Sequence, residues 1–331
     1  MLLTTGNIFI ELEQIPIIEI LNNSVEDTFY TFGIPTYKRS KELDEALTSI
    51  YNQKSSIKYN VIVSDNNPMR DDETELMMKS KYGKKDNVFY FKNVNNIGAT
   101  NNWNRLFQYC RTKYLIMLHD DDVLLDNYLE RIEYFVKRIP DVSALNCEKI
   151  TWNGKDIIKT KPANSNSFIR HSVYTNLLNF SYNTPSGCLF NVDDIKQVGG
   201  YNDLYGNAVD SALMMQLFLK NKVCVKTVEP LMLYRWGNNA STKFEVLKNL
   251  LENDLKLRND VSKDKNIPSY LKKIFEYFDV KIRLRSILKI NGVKLTFNGY
   301  SPGGNLFVAL YKVFTLLYRD IYIFHYCKEK V

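Results

Sequence analysis

Histidine and cysteine, the side chains that most often bind zinc or form disulfides, are sparse in this sequence. The three histidines, His119, His171 and His325, lie far apart along the chain. The five cysteines are an odd number and include no C-x-x-C pair. These patterns argue against a zinc site or a disulfide framework, and they are typical of reduced thiols buried in a core.

The sequence also lacks the glycine-rich loops with which many proteins bind phosphate. It contains neither a G-x-x-x-x-G-K nor a G-x-G-x-x-G pattern, and the glycine pairs at 199–200 and 303–304 have other neighbours. If a nucleotide binds to this chain, its phosphates are therefore expected to be held through a metal ion rather than by a glycine cradle.

Long uninterrupted apolar segments are missing near both ends of the sequence. Glu11 and Glu13 interrupt the first apolar residues, so these residues do not resemble the apolar region of a secretory signal. The stretch 305–326 is long enough to span a membrane, but its charged residues disfavour a spanning helix. We therefore expect a cytoplasmic protein.

The positive charge is concentrated towards the C-terminus. The formal net charge is +7, and residues 266–331 contribute all of it, with eleven Lys and Arg against four Asp and Glu. A neutral body with a basic tail argues against nucleic acid as the main ligand and favours contact with an anionic surface. The stretch 305–326 has one apolar face, which suits a helix lying at the inner face of the cell membrane. It equally suits a helix docked on the rest of the chain or on another subunit.

From Phe29 onward, short apolar strands alternate with amphipathic helices. The predicted strands are Phe29–Ile34, Tyr59–Ser64, Val88–Phe91, Tyr114–Leu118, Gly187–Asn191, 223–228 and 231–236, with further strands within 142–160. A helix is predicted over 71–81, and helical periodicity dominates from Phe244 with one break at 301–304. Strand–helix alternation of this kind predicts a parallel sheet covered by helices. Residues 1–27 show no pattern that places them.

Polar segments follow three of the predicted strands at the point where each strand ends. They are Pro35–Arg39, Asp65–Asn67 and His119–Asp122. Ligands of parallel sheets bind at the carboxyl ends of the strands. We therefore expect the three segments to meet in one crevice.

The carboxylates Asp120, Asp121 and Asp122 form the densest cluster of charge in this crevice. Three consecutive carboxylates repel one another unless water or a divalent cation neutralises them. Mn²⁺ and Mg²⁺ prefer oxygen ligands, and Mg²⁺ is usually bound by one or two carboxylates together with substrate phosphates. The cluster therefore predicts a metal–diphosphate site. A solvated acidic loop is the alternative.

Several motifs in the first half of the chain resemble glycosyltransferase family 2, whose catalytic domain has the GT-A fold. They are Ile34–Arg39 (IPTYKR), Val61–Asn66 (VIVSDN), Asn96–Asn104 (NIGATNNWN) and Leu118–Asp122 (LHDDD). The resemblance covers about residues 29 to 240, with the motifs in the family's order and spacing. It implies a Rossmann-like mixed sheet flanked by helices, followed here by a C-terminal helical extension.

The resemblance also implies roles for individual residues. Residues implied to bind the donor nucleotide sugar are Pro35, Thr36, Tyr37, Arg39, Asp65, Asn66, Gly98, Asn104, Asp120, Asp121 and Arg235. Asp120, Asp121 and Asp122 are implied to hold Mn²⁺ or Mg²⁺.

The second half of the chain matches the part of the family that meets the acceptor. Ala208–Asp210 resembles the stretch that ends in the catalytic base, which makes Asp210 the predicted base. Asp210 is also well placed to cap the helix that follows it. The sequence departs from the family at Gly237, where relatives carry a histidine that assists the metal or the diphosphate. Arg235 or water is expected to compensate.

The resemblance implies an inverting transfer from a nucleoside diphosphate sugar, a UDP-sugar in the first instance. From the basic, aromatic tail we expect a saccharide acceptor carried on a lipid, as in assembly of bacterial capsule, O-antigen or cell-wall polysaccharide. The predicted organisation is an N-terminal extension (1–27), a catalytic domain (28–242) and a basic helical region (243–331). The catalytic domain divides into a nucleotide-binding half (28–125) and an acceptor half (126–242).

Two other functions remain open from the sequence. A sugar nucleotidyltransferase also uses a nucleotide-binding α/β fold with a carboxylate-held metal, but 33–39 is a poor match to its basic glycine-rich loop. An inactive relative that acts as a binding or scaffolding subunit is the non-enzymatic alternative, and Gly237 gives it weight.

Overall fold

The chain folds around one mixed β-sheet, and the computed structural model describes residues 6–24, 28–159, 166–177, 185–237, 243–265 and 267–322. Eleven strands are found within these ranges. In chain order they are β1 Ile17–Asn22, β2 Tyr30–Thr36, β3 Tyr59–Asp65, β4 Val88–Asn93, β5 Tyr114–Met117, β6 Val123–Leu124, β7 Val142–Trp152, β8 Ile157–Lys159, β9 Phe168–His171, β10 Cys188–Asn191 and β11 Val223–Arg235.

Helices cover the sheet and form the C-terminal region. In chain order the α-helices of the described residues are α1 Ile8–Glu13, α2 Ser40–Tyr51, α3 Glu73–Met77, α4 Ala99–Tyr109, α5 Tyr128–Val136, α6 Val173–Leu177, α7 Val192–Gln197, α8 Val209–Leu219, α9 Phe244–Asp264, α10 Ser269–Asn291 and α11 Asn305–Tyr322. A π-helical segment, Met78–Tyr82, extends α3, and a 3₁₀ helix, Asp203–Ala208, precedes α8.

The strand order is β1-β4-β3-β2-β5-β10-β7-β11-β6, with β8 beside β7 and β9 beside β11. The neighbours β4, β3, β2 and β5 are parallel, as the strand–helix alternation predicts. β10 is antiparallel to both β5 and β7, so the sheet is mixed. The predicted Rossmann-like mixed sheet flanked by helices, with helices at the C-terminal end, is confirmed.

The centre of the sheet is buried on both faces, which explains why β2 is apolar along almost its whole length. Phe32 belongs to the core on the side of α2 and α5. On the other face, Gly33 lies under α4. A Cβ at Gly33 would come within 3.1 Å of Leu115 and 3.3 Å of Leu106. Glycine at this position therefore lets α4 pack closely against the strand.

Residues 6–24, which carry no pattern that places them, extend the sheet. Asn7 caps α1 by accepting a hydrogen bond from the Phe9 amide (3.1 Å), and β1 then pairs antiparallel with β4. The buried Arg105 guanidinium donates to the Leu12 carbonyl (3.0 Å) and the Ile15 carbonyl (2.6 Å). These contacts come from distant parts of the chain, and local periodicity contains no trace of them.

Buried ion pairs fasten the C-terminal helices together and to the sheet domain. Arg258 of α9 pairs with Asp254, and Arg283 of α10 bonds both Asp254 and Asp279 at 2.9 Å. Arg258 also donates to the Leu177 carbonyl at the end of α6. Because unpaired buried charges are costly, this network specifies how α9 and α10 dock.

Three details of the predicted elements are corrected by the structure. The strands expected at 223–228 and 231–236 are one strand, β11, whose register shifts on both sides of Pro230. Proline has no N–H to donate, so the ladder slips there instead of ending. The helix expected over 71–81 begins at Glu73, with Asp72 as its cap, and is partly π-helical. The C-terminal region has a second break before α10, at Pro268.

The structure partly tests two expectations, one about the cysteines and one about membrane-spanning helices. Cys110, Cys147, Cys188 and Cys224 are buried thiols outside any disulfide, as predicted for core thiols, whereas Cys327 lies outside the described residues. In the part of the chain that the structure describes, no helix combines the length and the apolar character needed to cross a bilayer.

Candidate active site

A cavity of about 450 Å³ opens at the carboxyl ends of β2, β3 and β5. This volume falls in the range of about 300–1,000 Å³ that is usual for small-molecule sites. The cavity is lined by Pro35, Thr36, Tyr37, Arg39, Asn66, Asn96, Gly98, Ala99, Asn102, Trp103 and Asp120. The predicted convergence of the three polar segments is confirmed, because parallel strands bring their carboxyl ends to one edge of the sheet.

Asp120 lies on the wall of this cavity and is held by two residues from the end of β2. The Thr36 hydroxyl donates to it at 2.8 Å, and the Arg39 guanidinium donates at 3.1 Å. Arg39 reaches Asp121 as well, at 2.9 Å. Burial raises the pKa of Asp120 to about 6, and the Arg39 charge opposes that shift. Arg39 is half-exposed and borders the cavity, so its guanidinium is available to an anionic ligand.

The second group at this edge consists of His119, Asp121 and Asp122, whose ligand atoms all lie within 4.8 Å of one another. His119 stacks on Trp103, with ring centroids 5.4 Å apart. Its Nε2 is buried and has no hydrogen-bond partner among the described residues. Burial lowers the pKa of His119 to about 4, so the imidazole is neutral and able to act as a ligand.

Asp122 is fixed by two donors on opposite sides. The Ser186 hydroxyl donates to Oδ2 at 2.5 Å, and the Arg235 amide donates to Oδ1 at 2.9 Å. Burial raises the pKa of Asp122 to about 7, which shows how poorly the site tolerates an uncompensated carboxylate. A divalent cation would remove this penalty. The residues present therefore fit Mn²⁺ or Mg²⁺, with Asp121, Asp122 and His119 as the ligand set and Asp120 set towards Thr36 and Arg39.

Arg235, a predicted donor-binding residue, is engaged on the other side of the cluster. Its guanidinium donates to the Asp121 carbonyl at 2.9 Å, pairs with Glu45 and lies 4.6 Å from the ring centroid of Trp152. Together with the hydrogen bond from its amide to Asp122, these contacts fix the turn formed by Asp120, Asp121 and Asp122, which we call the carboxylate turn. Gly237 follows two residues beyond the end of β11.

Asp65 and Asn66 follow each other in the chain but differ in surroundings. Asp65 is fully buried, accepts from Lys92 at 2.7 Å and from Tyr90 at 2.9 Å, and does not line the cavity. Asn66 lines the cavity, where its amide donates to Asn96 at 2.7 Å. In this structure, Asn66 is the residue of the two that a ligand in the cavity meets.

The start of α4 contributes backbone and amide groups to the cavity. Gly98, at the N-cap position, has φ = 81°, a conformation that favours glycine. Asn102, one turn later, lines the cavity and bonds the Ser64 hydroxyl at 2.7 Å. Asn104 is completely buried and instead exchanges two hydrogen bonds with the backbone of Tyr201, at 2.8 and 2.9 Å. Asn104 therefore joins α4 to the segment before the 3₁₀ helix.

Asp210, the predicted base, lies in the first turn of α8. The N-cap position belongs to Ala208, with no side-chain cap bond, so the capping alternative for Asp210 is not supported. Within the described residues, Asp210 Oδ1 is buried without a hydrogen-bond partner. Burial raises the pKa of Asp210 to about 7, and the positive charge of Lys149 opposes this shift.

Sequence reasoning missed several residues of the site. They are His119, Asn96, Asn102, Trp103 and Ser186. The position of His119 directly before the carboxylates was a usable signal. Ser186 had none, because only the pairing of β10 with β5 brings it to the cluster.

Comparison with solved structures shows the fold. The chain is similar to S. aureus TarS 1-349 in complex with UDP-GlcNAc, with a TM-score of 0.56, 17% identity and coverage of 80% of this chain and 74% of that chain. It is also similar to the mannosyltransferase PcManGT from Pyrobaculum calidifontis in complex with GDP-Man and Mn²⁺, with a TM-score of 0.55, 14% identity and coverage of 94% and 88%. No curated protein sequence matches the chain significantly.

A family model supplies the assignment that these distant structures cannot. The model described as glycosyl transferase family 2 matches residues 31–199. This range is just over half of the chain, and it contains the cavity lining, the carboxylate turn and Ser186. The chain therefore belongs to glycosyl transferase family 2.

Proposed function

We propose that this chain catalyses transfer of a sugar, with inversion, from a UDP-sugar to a hydroxyl group of a saccharide acceptor. The observation that carries the proposal is the cavity at the strand ends, which is bordered by Arg39 and Asp120 next to the cluster of His119, Asp121 and Asp122. A neutral sugar and nucleoside fit the polar walls of such a site. The diphosphate fits the cationic and metal-binding side.

In the proposed reaction, Arg39 and Thr36 bind and orient the donor at the end of β2. Asn66, Asn102 and Gly98 also line the cavity, and they would meet the nucleoside. A divalent cation held by the carboxylates would offset the negative charge that develops on the departing diphosphate.

Asp210 is proposed to act as the general base. It accepts the proton of the acceptor hydroxyl while that oxygen forms a bond to the anomeric carbon and the bond to the diphosphate breaks. A base works best when its pKa is near the operating pH, and burial raises the pKa of Asp210 to about 7. The oxygen Oδ1 is buried and has no partner in the described residues, so its capacity to accept a hydrogen bond is unused.

The donor class can be tested without knowing the acceptor. Thermal unfolding is measured with UDP, GDP, CDP and their sugars, each with and without Mn²⁺. A ligand present at about 100 times its Kd should stabilise the fold by roughly 2.7 kcal/mol. Metal-dependent stabilisation by UDP and one UDP-sugar supports the proposal, and stabilisation by GDP or CDP derivatives alone would contradict the donor.

An acceptor carried on a lipid is proposed from the surface of α11. Phe307 and Phe314 face α10, where Phe314 stacks on Phe278 with ring centroids 4.5 Å apart. Leu306, Leu310 and Val313 are exposed, at 76%, 57% and 54%. An exposed apolar stripe within a basic region suits peripheral contact with an anionic membrane. This placement would fit assembly of bacterial capsule, O-antigen or cell-wall polysaccharide.

An inactive relative that binds nucleotide without turnover is the second candidate, and Gly237 is the observation that favours it. The two are separated by one comparison. Turnover that is lost in Asp210→Asn while nucleotide stabilisation is retained supports the enzyme. Nucleotide stabilisation without turnover, with every acceptor fraction from a bacterial polysaccharide pathway, would favour the binding subunit.

A further inference from the structure

Ser186 lies shortly before β10 and is completely buried beside the carboxylate turn. β10 pairs antiparallel with β5, and Cys188 lies opposite Met117 in this pairing. The Gly187 amide extends the ladder by donating to the Met117 carbonyl at 2.7 Å. When the same register is continued towards the start of the turn, Ser186 falls opposite His119.

The Ser186 hydroxyl makes two hydrogen bonds, one as acceptor and one as donor. The His119 amide donates to Oγ at 3.0 Å, and Oγ donates to Asp122 Oδ2 at 2.5 Å. A backbone amide can only donate, so the single hydroxyl proton is left for Asp122. The shorter distance is usual for a hydroxyl that donates to an ionised carboxylate. Ser186 therefore links the backbone of one residue of the cluster to the carboxylate of another.

The other oxygen of Asp122 is held from a different strand. The Arg235 amide, at the end of β11, donates to Oδ1 at 2.9 Å. With one donor on each oxygen, the orientation of the carboxylate is fixed. A carboxylate has about four lone-pair sites in all, so the two donors leave room for a cation.

The turn that carries Ser186 is itself held in place by hydrogen bonds. The Cys188 amide donates to the Pro185 carbonyl at 3.0 Å, which closes the turn around Ser186. The Tyr128 hydroxyl donates to the Gly187 carbonyl at 3.2 Å. Because its backbone is fixed on both sides, the Ser186 hydroxyl is a rigid support for Asp122.

We propose that Ser186 is a positioning residue of the metal site, whose hydroxyl orients Asp122 relative to His119 and thereby strengthens the binding of Mn²⁺ or Mg²⁺. This inference rests on the proposed function, in which the cluster of His119, Asp121 and Asp122 holds the cation. Ser186 need not touch the cation. Residues that hold metal ligands in place typically contribute about 10–100-fold to metal affinity.

The test is the affinity of the full chain for Mn²⁺ alone, without donor or acceptor. The electron paramagnetic resonance signal of free Mn²⁺, which is lost on binding, measures this affinity. Ser186→Ala removes the donor on Oδ2 and lets the Asp122 carboxylate rotate. We expect its affinity for Mn²⁺ to fall by about tenfold or more.

Ser49→Ala is the matched control for loss of a buried hydroxyl near the same turn. The Ser49 hydroxyl accepts from the Leu124 amide at 3.1 Å and donates to the Ala46 carbonyl at 2.7 Å, so both of its partners are backbone groups. Ser49→Ala should lose stability, measured by denaturant unfolding, and keep the wild-type affinity for Mn²⁺. If Ser186→Ala does not fold, Ser186→Cys replaces it, because a thiol of similar size is only a weak donor.

An unchanged affinity for Mn²⁺ in the Ser186 variant overturns the inference, as does an equal loss in Ser49→Ala. A wild-type protein that binds no Mn²⁺ would overturn it together with the metal site of the proposed function. The donor class is tested separately by nucleotide stabilisation, and the base by the turnover of Asp210→Asn. Failure of the inference and failure of the proposed function therefore appear in different experiments.

Discussion

Asn104 and Tyr201 form two hydrogen bonds that join α4 to the segment before the 3₁₀ helix. The Asn104 amide donates to the Tyr201 carbonyl at 2.8 Å and accepts from the Tyr201 amide at 2.9 Å. One residue earlier, a Cβ at Gly200 would come within 2.7 Å of Asn104 Oδ1. The Asn104 side chain thus bonds both backbone groups of Tyr201, as a neighbouring β-strand would. It connects α4, which lines the cavity, to the segment that leads to Asp210.

Asn104→Ala should therefore lower stability and turnover while sparing the donor cavity. It leaves a buried backbone donor and acceptor at Tyr201 unpaired, at a cost of about 1–3 kcal/mol each. We expect a lower kcat with little change in nucleotide affinity. Denaturant unfolding and nucleotide titration measure the two effects. Asn87→Ala, which also removes an amide bonded to a backbone carbonyl (Tyr59, 3.0 Å), is the control that should lose stability but not kcat.

Asp122→Asn should abolish the effect of Mn²⁺ on nucleotide binding. Asp122 lies in the cluster with His119 and Asp121, and burial raises its pKa to about 7. Asp120→Asn is the matched control, because Asp120 faces Thr36 and Arg39 instead. That variant should weaken nucleotide binding and keep its metal dependence. Equal loss of metal dependence in both variants, measured by thermal unfolding with UDP and Mn²⁺, would contradict this division.

Asp210→Asn should be more stable than the wild type at pH 8 and lose this advantage near pH 4. The pKa of Asp210 rises from 3.8 to about 7 on folding, so the folded state binds the proton more tightly than the unfolded state. Stability from this group is complete below its unfolded pKa and is lost as the pH rises to about 7. Chemical denaturation at several pH values tests the sign. A variant that is less stable at pH 8 would show that Asp210 has stabilising partners.

The same pKa predicts the pH dependence of turnover. Below pH 7 the Asp210 carboxyl is increasingly protonated and cannot accept the acceptor's proton. The wild-type kcat/KM should therefore rise about tenfold per pH unit below this value and level off above it. An acid limb that persists unchanged in the residual activity of Asp210→Asn would assign the limb to another group.

Replacing the exposed stripe of α11 should release the protein from anionic vesicles. The triple variant Leu306→Ser, Leu310→Ser and Val313→Ser removes the apolar surface and leaves the Phe307 and Phe314 contacts with α10. Flotation with vesicles containing phosphatidylserine measures the effect. The control replaces Met69, Leu76 and Ile157, which are equally exposed elsewhere, and should float like the wild type. Equal flotation of the wild type, the α11 variant and the control variant would contradict the proposal that α11 contacts a membrane.

The motifs predicted correctly which residues lie at the strand ends, but they were less successful in predicting the contacts of each side chain. Thr36, Arg39, Asn66, Gly98 and Asp120 line the cavity, as their positions after the strands imply. A residue at the carboxyl end of a parallel strand lies at this edge of the sheet whatever its side chain contacts. Its position therefore follows from the strand–helix pattern alone.

Those motifs could not predict side-chain contacts between distant segments of the chain. Asp65 is drawn into the interior by Lys92, which is 27 residues away and belongs to the adjacent strand β4. Arg235 turns to Glu45 and Trp152. A buried carboxylate or guanidinium pairs with the opposite charge or the carbonyl group that the packing of the fold brings next to it. The local spacing of residues in the sequence does not encode that partner.

The sequence by itself determined the strand–helix alternation, the edge of the sheet at which polar residues gather and the position of the acidic turn at that edge. These properties depend on periodicity and chain order, which are local. Tertiary structure alone decided that Ser186 donates to Asp122 and that Asn104 bonds the backbone of Tyr201. Those relationships depend on strand order and register, which bring together residues separated by tens of positions and remove them from water. Burial is what changes their charge states, and burial is a property of the assembled fold.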